Sequence, residues 1–508
     1  MRKFQSFVLA NNPIPKKQLA WPLYGTGVDH LGKDGKPILV QVPAYTEDEI
    51  LMRVDAVSMC YTDVKEIVQG ESHPRLTGRN LREDPIIPGH ELSMTVVGVG
   101  KNLKDEYKVG DRFTMQPDVW VNGKSRPFCF DLDGGYRQYA KVGKEILEGD
   151  AGNYLIPITK DMIYAAAAIT EPWACVEAAY RANYRNVVRK GGVMWIVGND
   201  MSRRGYLPES LFERSGPDSI LLTNVPSDLK LKIGSICQSR GIHVDDIGFE
   251  NAIDSEVLYD DILALDCSSQ TVTRASKKIA KGGMLVMFGV SDSTTIEIDL
   301  GRLHYDDIYF AGTDSLDLIE GYKRTTSRAD HFPGGKMWIV GAGGPMGRMH
   351  LQRAIETKNG PNLIVASEVT SDRFIALKEF FYPMAKNHHK ELLIINSKDE
   401  PDEYRKVLQR VKADGGFDDI EIMVAIIPVI METLPYAAKT GVISLFAGLK
   451  RGVMMSVDTW LIQGPQQVRF IGHSGSGLED QKAVVNKMLS GELKPELSVA
   501  AVGGMKQV

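Results

Sequence analysis

The chain has 508 residues, more than one hydrophobic core organises, so several domains are expected. Its 43% hydrophobic content suits a globular protein, and a net charge of -5 with acids and bases interspersed argues against a nucleic-acid or lipid-surface partner. Five cysteines without paired spacing make no disulfide framework, and no apolar run approaches the roughly 18 residues of a membrane helix or reads as a signal peptide, so a cytoplasmic protein is expected.

Residues 36–150 read as β-rich: short apolar runs such as ILVQVP, ILMRVDAVSM, MTVVGVG and YRQYAKV are divided by Gly, Pro and Asp turns. Helical composition follows in MIYAAAAI and PWACVEAAYRANYRNVV, with Pro172 suited to a first helical turn. From there to about residue 475 strands and helices alternate, the pattern of a doubly wound parallel sheet. Within that region four landmarks recur in order. GGVMWIVG at 191–198 matches GGKMWIVG at 334–341, and SILLTNVPSDL at 219–229 parallels NLIVASEVTSDR at 362–373. GGMLVMFGV at 282–290 parallels TGVISLFAGL at 440–449, and YFAGTDS at 309–315 parallels RFIGHSGS at 469–476. A tandem duplication of an α/β domain is expected, because a shared Met-Trp-Ile-Val-Gly is more than the apolar character common to parallel strands.

Only the second copy keeps a glycine-rich turn after its first strand. GAGGPMG parses as Gly341, Gly343 and Gly347, or with Ala342 and Gly344 in register, and it precedes the helical MGRMHLQRAIE. Such a turn lets a pyrophosphate approach the backbone at a helix N-terminus. Glu368, after LIVAS, stands where a carboxylate accepts ribose hydroxyls and repels a 2′-phosphate, which favours NAD(H) over NADP(H). Met346 and Arg373 complete the expected cofactor contacts. The first copy reads GNDMSRRG, with Asn224 in place of the acid; Arg203 and Arg204, placed at a helix start, are its only phosphate-binding candidates.

Upstream, three segments carry metal-ligand types: CYTD with Cys60 and Asp63, PGHE with His90 and Glu91, and TEPW with Glu171. Thiolate, imidazole and carboxylate each bind zinc, and three protein ligands with an open position make a catalytic site. VDAVSMCYTD, PIIPGHE, VGVGKNL, YKVGDRF, GGYRQYA and TEPWACVEAAYR, in this order ahead of the nucleotide unit, resemble the zinc-dependent medium-chain dehydrogenase/reductase family. Glu171-Pro172 and the acid after His90 are similar to its sorbitol dehydrogenase and sugar-phosphate reductase branch, and GGPMG to the sorbose-1-phosphate reductase group.

The resemblance implies one catalytic zinc held by Cys60, His90 and Glu171, with Glu91 able to ligate in exchange with water, Thr62 relaying a proton and Asp63 orienting a ligand. It implies a GroES-like catalytic domain over residues 1–180, completed by 477–508, and a Rossmann-type NAD-binding domain at 331–476, to which the internal repeat adds a degenerate Rossmann-type copy at 181–330. The expected reaction passes a hydride between NAD(H) and a secondary alcohol or ketone, with a polyol, sugar or sugar phosphate as substrate. The alternatives are a zinc-free reductase of the same fold and a non-catalytic nucleotide sensor. Three departures stand out: Met94 replaces a glycine of the family's strand, the four-cysteine structural-zinc lobe is reduced to Cys129 alone, and the α/β unit is doubled. The silent copy is expected to pack on the other as an internal stand-in for a dimer partner, with further oligomerisation possible.

Overall fold

The computed structural model describes residues 2–181, 185–289, 295–323 and 330–508. The chain forms two compact units, one of residues 1–178 with 475–508 and one of residues 179–474.

The first unit is built on an antiparallel five-stranded sheet of β1 (Ile50–Ser58), β2 (Glu91–Val99), β3 (Arg112–Met115), β4 (Tyr139–Val142) and β5 (Leu155–Ile158), in the order β4-β1-β2-β3-β5. Met94 is buried in β2, opposite Val54 and Phe113, and the β1–β2 ladder shifts register just beside it, between Val54 and Ala56. Helix α1 (Tyr61–Gln69) follows β1 directly, and α2 (Thr170–Ala179) carries Pro172 in its first turn, where its missing N–H costs no hydrogen bond. The C-terminal segment returns to this unit: the Trp21 indole donates to the Met505 carbonyl at 2.8 Å.

The second unit holds two parallel six-stranded sheets of the same order. The first comprises β6 (Val193–Val197), β7 (Ser219–Thr223), β8 (His243–Asp246), β9 (Tyr259–Leu265), β10 (Ile279–Phe288) and β12 (Tyr309–Thr313), arranged β8-β7-β6-β9-β10-β12, with β11 (Thr295–Asp299) outside it. The second comprises β13 (Lys336–Val340), β14 (Leu363–Glu368), β15 (Glu391–Asn396), β16 (Phe417–Ile422), β17 (Ala437–Leu445) and β19 (Arg469–Gly472), arranged β15-β14-β13-β16-β17-β19, with β18 (Met454–Asp458) outside it. The likeness reaches individual hydrogen bonds. Trp195 donates to the Thr223 hydroxyl at 2.9 Å and Trp338 to the Ser367 hydroxyl at 3.0 Å. The Val193 and Lys336 amides each donate to the equivalent carboxylates of Asp260 and Asp418 at 2.9 Å. The repeated landmarks fall on these strands; Val290, at the end of one, lies outside the described residues, as do Ala182, Asn183 and Tyr184 of the expected helix after Glu171.

The crossovers between first and second strands differ. In the second sheet α5 (Pro345–Glu356) links β13 to β14, whereas residues 198–218 between β6 and β7 contain no helix. Arg203 and Arg204 therefore do not stand at a helix start: that loop buries Tyr206, Leu211 and Phe212 against the sheet where a helix would lie. Helices α3 (Ser227–Arg240), α4 (Glu320–Lys323) and α6 (Ser371–Asn387) complete the pattern. In the first unit, α7 (Leu478–Ser490) brings in buried Gln481, whose amide donates to the hydroxyls of Thr114 and Thr170, both at 3.1 Å, and so pins the start of α2.

The two sheets are joined. β11 and β18 pair antiparallel from Thr295↔Asp458 to Asp299↔Met454, the edge strands β12 and β19 lie together, and one apolar cluster runs through both sheets. The tyrosines preceding each copy are exchanged. Tyr322, shortly before the second copy in sequence, donates to Asp261 of the first at 2.9 Å. Tyr180, just before the first copy, packs on His331, His350 and Arg353 of the second.

The Tyr180 hydroxyl lies 2.6 Å from His350 Nδ1, and the Glu421 carboxylate 4.0 Å from the same nitrogen, all of it buried. Burial, with the nearby Arg353 and His473 charges, pushes His350 down to about 3, and burial, reinforced by Asp419, pushes Glu421 up to about 8 against the pull of Ser444, Arg353 and Tyr180. Both groups are therefore neutral near pH 7. The unfolded carboxyl ionises near 4.5, so Glu421 contributes stability at low pH that is lost as pH rises from about 4.5 to 8; His350 contributes stability that is lost as pH falls from about 6.5 to 3.

Two outcomes are expected. Glu421→Gln removes up to about 1.4 kcal/mol per pH unit of slope between pH 4.5 and 8, read from urea midpoints; a slope equal to wild type would mean Glu421 is charged when folded. Ile298→Ala, on the β11–β18 seam, costs about 2–5 kcal/mol, and an unchanged urea midpoint would mean the seam contributes nothing to stability.

Candidate metal and nucleotide sites

Cys60 is the N-cap of α1, and Asp63 one turn on accepts the Cys60 amide at 2.8 Å through Oδ2. The same carboxylate accepts the Tyr136 hydroxyl at 2.8 Å and, through Oδ1, the Gly89 amide at 3.1 Å, with His90 Nδ1 at 3.5 Å. One buried side chain thus ties the Cys60 turn to the Gly89-His90 turn. Burial opposes its charge, but hydrogen bonds from His90, Cys60 and Tyr136 hold Asp63 below the usual carboxylate range.

Cys60, His90 and Glu91 bring one ligand atom each within 4.8 Å of one another. Glu171 stands outside that set, its Oε1 accepting the Cys175 thiol at 3.5 Å. Burial pushes Glu171 up to about 7, with His90 opposing and Glu91 adding to the rise; Glu91 and the Cys60 thiol are also raised by burial. A carboxyl group, a thiol and an imidazole gathered this closely form a donor set that suits a divalent cation, and its mixed sulfur, nitrogen and oxygen character fits zinc. Thr62 lies half-buried in the first turn of α1, beside Cys60.

Three neighbours escaped the sequence reading. Glu66 and Cys129 group with Asp63 and His90 as a second ligand-type cluster, and Cys175 touches Glu171. Cys175 lies four residues after Glu171 on one helix face, a spacing that could have revealed it; Cys129 and Glu66 meet only through the fold.

In the second sheet the turn after β13 begins at Gly341, whose φ of 82° is left-handed, and α5 is capped by Gly344 with Pro345 at its first position. Gly347 passes so close that a Cβ there would lie 2.7 Å from the Gly341 carbonyl, which lets helix and strand approach. Met346 lies in the first turn of that helix. Glu368, buried at the end of β14, accepts the Gly343 amide at 2.8 Å, and the Val369 and Thr370 amides at 2.8 and 2.9 Å. Its carboxylate is thereby fixed at the glycine turn, with Arg373 on α6 packed alongside Gly343. At the equivalent place in the first sheet, exposed Asn224 follows β7, Arg204 pairs with Asp266 at 3.3 Å and donates to the Asp314 carbonyl at 2.6 Å, and its guanidinium rests against Gly289. Its own arginine closes the strand ends.

Residues 46–148 match the alcohol dehydrogenase GroES-like domain. Mannitol-1-phosphate 5-dehydrogenase of Aliivibrio fischeri is 24% identical over 55% of this chain and 72% of its own length. L-sorbose 1-phosphate reductase of Klebsiella pneumoniae is 27% identical over 54% and 70% respectively. Sorbitol dehydrogenase of Bombyx mori is 34% identical over 56% of this chain and 82% of its own length. Among solved structures, an alcohol dehydrogenase from Thermotoga maritima aligns over 95% of this chain and 90% of its own with a TM-score of 0.51 at 12% identity, a likeness of fold. Taken with the Cys60, His90 and Glu91 cluster, these likenesses show that the chain belongs to the zinc-dependent medium-chain dehydrogenase/reductase family.

Proposed function

We propose that the protein is a zinc-dependent dehydrogenase that passes a hydride between NAD(H) and a secondary alcohol or ketone of a polyol, sugar or sugar phosphate. The observation that carries the reading is the convergence of half-buried Cys60 with buried His90 and Glu91, with Thr62 in the helix turn that Cys60 caps. The relatives support the substrate class by their names, which are those of polyol and sugar-phosphate enzymes. Cys60, His90 and Glu171 would hold the ion, with Glu91 exchanging at the same position. A zinc ion there supplies a Lewis acid that favours the alkoxide form of a bound alcohol, and NAD supplies the hydride acceptor. Asp63 keeps the imidazole and the thiol in mutual register, the Thr62 hydroxyl passes the substrate proton outward, and the carboxyl groups of Glu171 and Glu91 give the site a polar floor suited to a polyhydroxylated substrate.

The cofactor would bind at the Gly341, Gly343, Gly344, Met346 and Gly347 turn, with Glu368 favouring NAD(H) and Arg373 at its flank. The first copy would serve as an internal partner. Tyr180 packs on the second copy across an intervening stretch of sequence, and the Bombyx mori relative aligns to only 56% of this chain; both fit a first copy inserted, as a domain, into an otherwise ordinary enzyme. The β11–β18 ladder and the shared core then form a pseudo-dimer within one chain.

Purified protein is expected to hold about one zinc per chain and to oxidise polyols or their phosphates with NAD; Cys60→Ala and His90→Ala lose the metal and at least about 10²-fold of the activity. Elemental analysis finding none after metal-replete purification, or activity surviving either change, would refute the assignment. Calorimetry should give one NAD(H) site per chain, with the preference over NADP(H) narrowed in Glu368→Ala; two equivalent sites would show that the first copy is not silent.

A further inference from the structure

Cys129, all that this sequence keeps where relatives of the family carry a four-cysteine lobe, is not idle packing. It is fully buried at a left-handed φ of 73°, a conformation costly for a residue with a Cβ, and the turn that holds it is closed by the Cys129 amide donating to the Leu132 carbonyl at 2.7 Å. The thiol so placed lies 3.2 Å from Glu66 Oε1 and 3.6 Å from His90 Nδ1. Glu66 is fully buried too, and its Oε2 has no hydrogen-bond partner.

An imidazole that binds a metal through Nε2 must carry its proton on Nδ1 and needs an acceptor there. Asp63 serves only in part: its oxygens already take the Cys60 amide, the Tyr136 hydroxyl and the Gly89 amide, and it stands 3.5 Å from Nδ1. The Cys129 sulfur stands at nearly the same distance. A thiol can accept on sulfur while donating its own proton, and Glu66 is the acceptor within reach.

We propose that Cys129 is a positioning residue for His90: its sulfur shares the Nδ1–H with Asp63, its S–H is passed to Glu66, and the two contacts fix the tilt that aims Nε2 toward Cys60 and Glu91. The inference rests on the metal reading of that site. It differs from the role of Asp63, which ties two backbone turns together, in acting on the ring alone.

The test is zinc release to a chromogenic chelator from the zinc-loaded enzyme, with the visible spectrum of the cobalt-substituted protein as a second readout. Cys129→Ala should release zinc about 10-fold or more faster and alter the cobalt bands, while Cys129→Ser, which restores a group that both accepts and donates, should return release to within about 3-fold of wild type. Glu66→Leu, which removes the thiol's acceptor without leaving a buried carboxyl group, should shift release in the direction of Cys129→Ala, and it stands in should that variant fail to fold. Release within 2-fold of wild type in Cys129→Ala with unchanged cobalt bands would overturn the proposal, as would a serine variant as fast as the alanine. A second tightly held zinc lost on changing Cys129 would also overturn it, making the thiol a ligand. Absence of zinc from the wild type would instead refute the metal reading itself.

Discussion

The catalytic end of this protein depends on one carboxylate. Asp63 is buried, yet it stays ionised because it accepts from Cys60, Gly89 and Tyr136 and lies against His90. Those donors come from three segments far apart in sequence, so a single charge fixes the Cys60 turn against the turn that carries the imidazole. A buried charge is tolerated only where its hydrogen bonds are complete, and here completing them brings the Cys60 turn and the Gly89-His90 turn together. The C-terminal return has a comparable role at the start of α2: Gln481 on α7 holds Thr170 and Thr114, and Thr170 is the residue next to Glu171.

The duplicated sheets show how one architecture can be kept while its chemistry is dropped. Strand order, the tryptophan-to-hydroxyl bond between first and second strands, and the aspartate that caps the first strand all persist in both copies. These features serve folding. The glycine turn, the helix behind it and the acid after the second strand are present in the second copy and absent together from the first. Losing the helix would expose the sheet face beneath it, and the loop answers by burying Tyr206, Leu211 and Phe212 there. Arg204 then fills the crevice at the strand ends.

Much of this was legible in the sequence because it is written in local signals. The quoted landmarks land on strands, Pro172 lies in the first turn of a helix, and Cys60 and His90 of the expected ligand set come within reach of each other, with Glu91 rather than Glu171 as the third group. The placement of Arg203 and Arg204 at a helix start failed for a physical reason: the second copy's pattern was carried onto a loop whose apolar residues are spaced for filling a groove, and nothing in GNDMSRRG opposes a helix strongly enough to read. Cys129 and Glu66 were illegible in another way. They lie 63 residues apart and meet only once the loop after β3 folds back on α1. The same holds for Tyr180, whose partners His331 and His350 are separated from it by the whole first copy.

That separation bears on why a silent copy persists. If the first copy were a passive spacer, the face it covers on the second would have to be polar or paired elsewhere. It is neither: Met455, Val457 and Ile462 of the second copy and Ile296, Ile298 and Leu303 of the first are buried in one continuous core, and β18 has its ladder only through β11. Removing the copy would bare an apolar face and an unpaired strand at once, the two features that drive association with another chain. A module that covers this face must supply both a strand to pair with β18 and an apolar surface to bury, and the first copy supplies both.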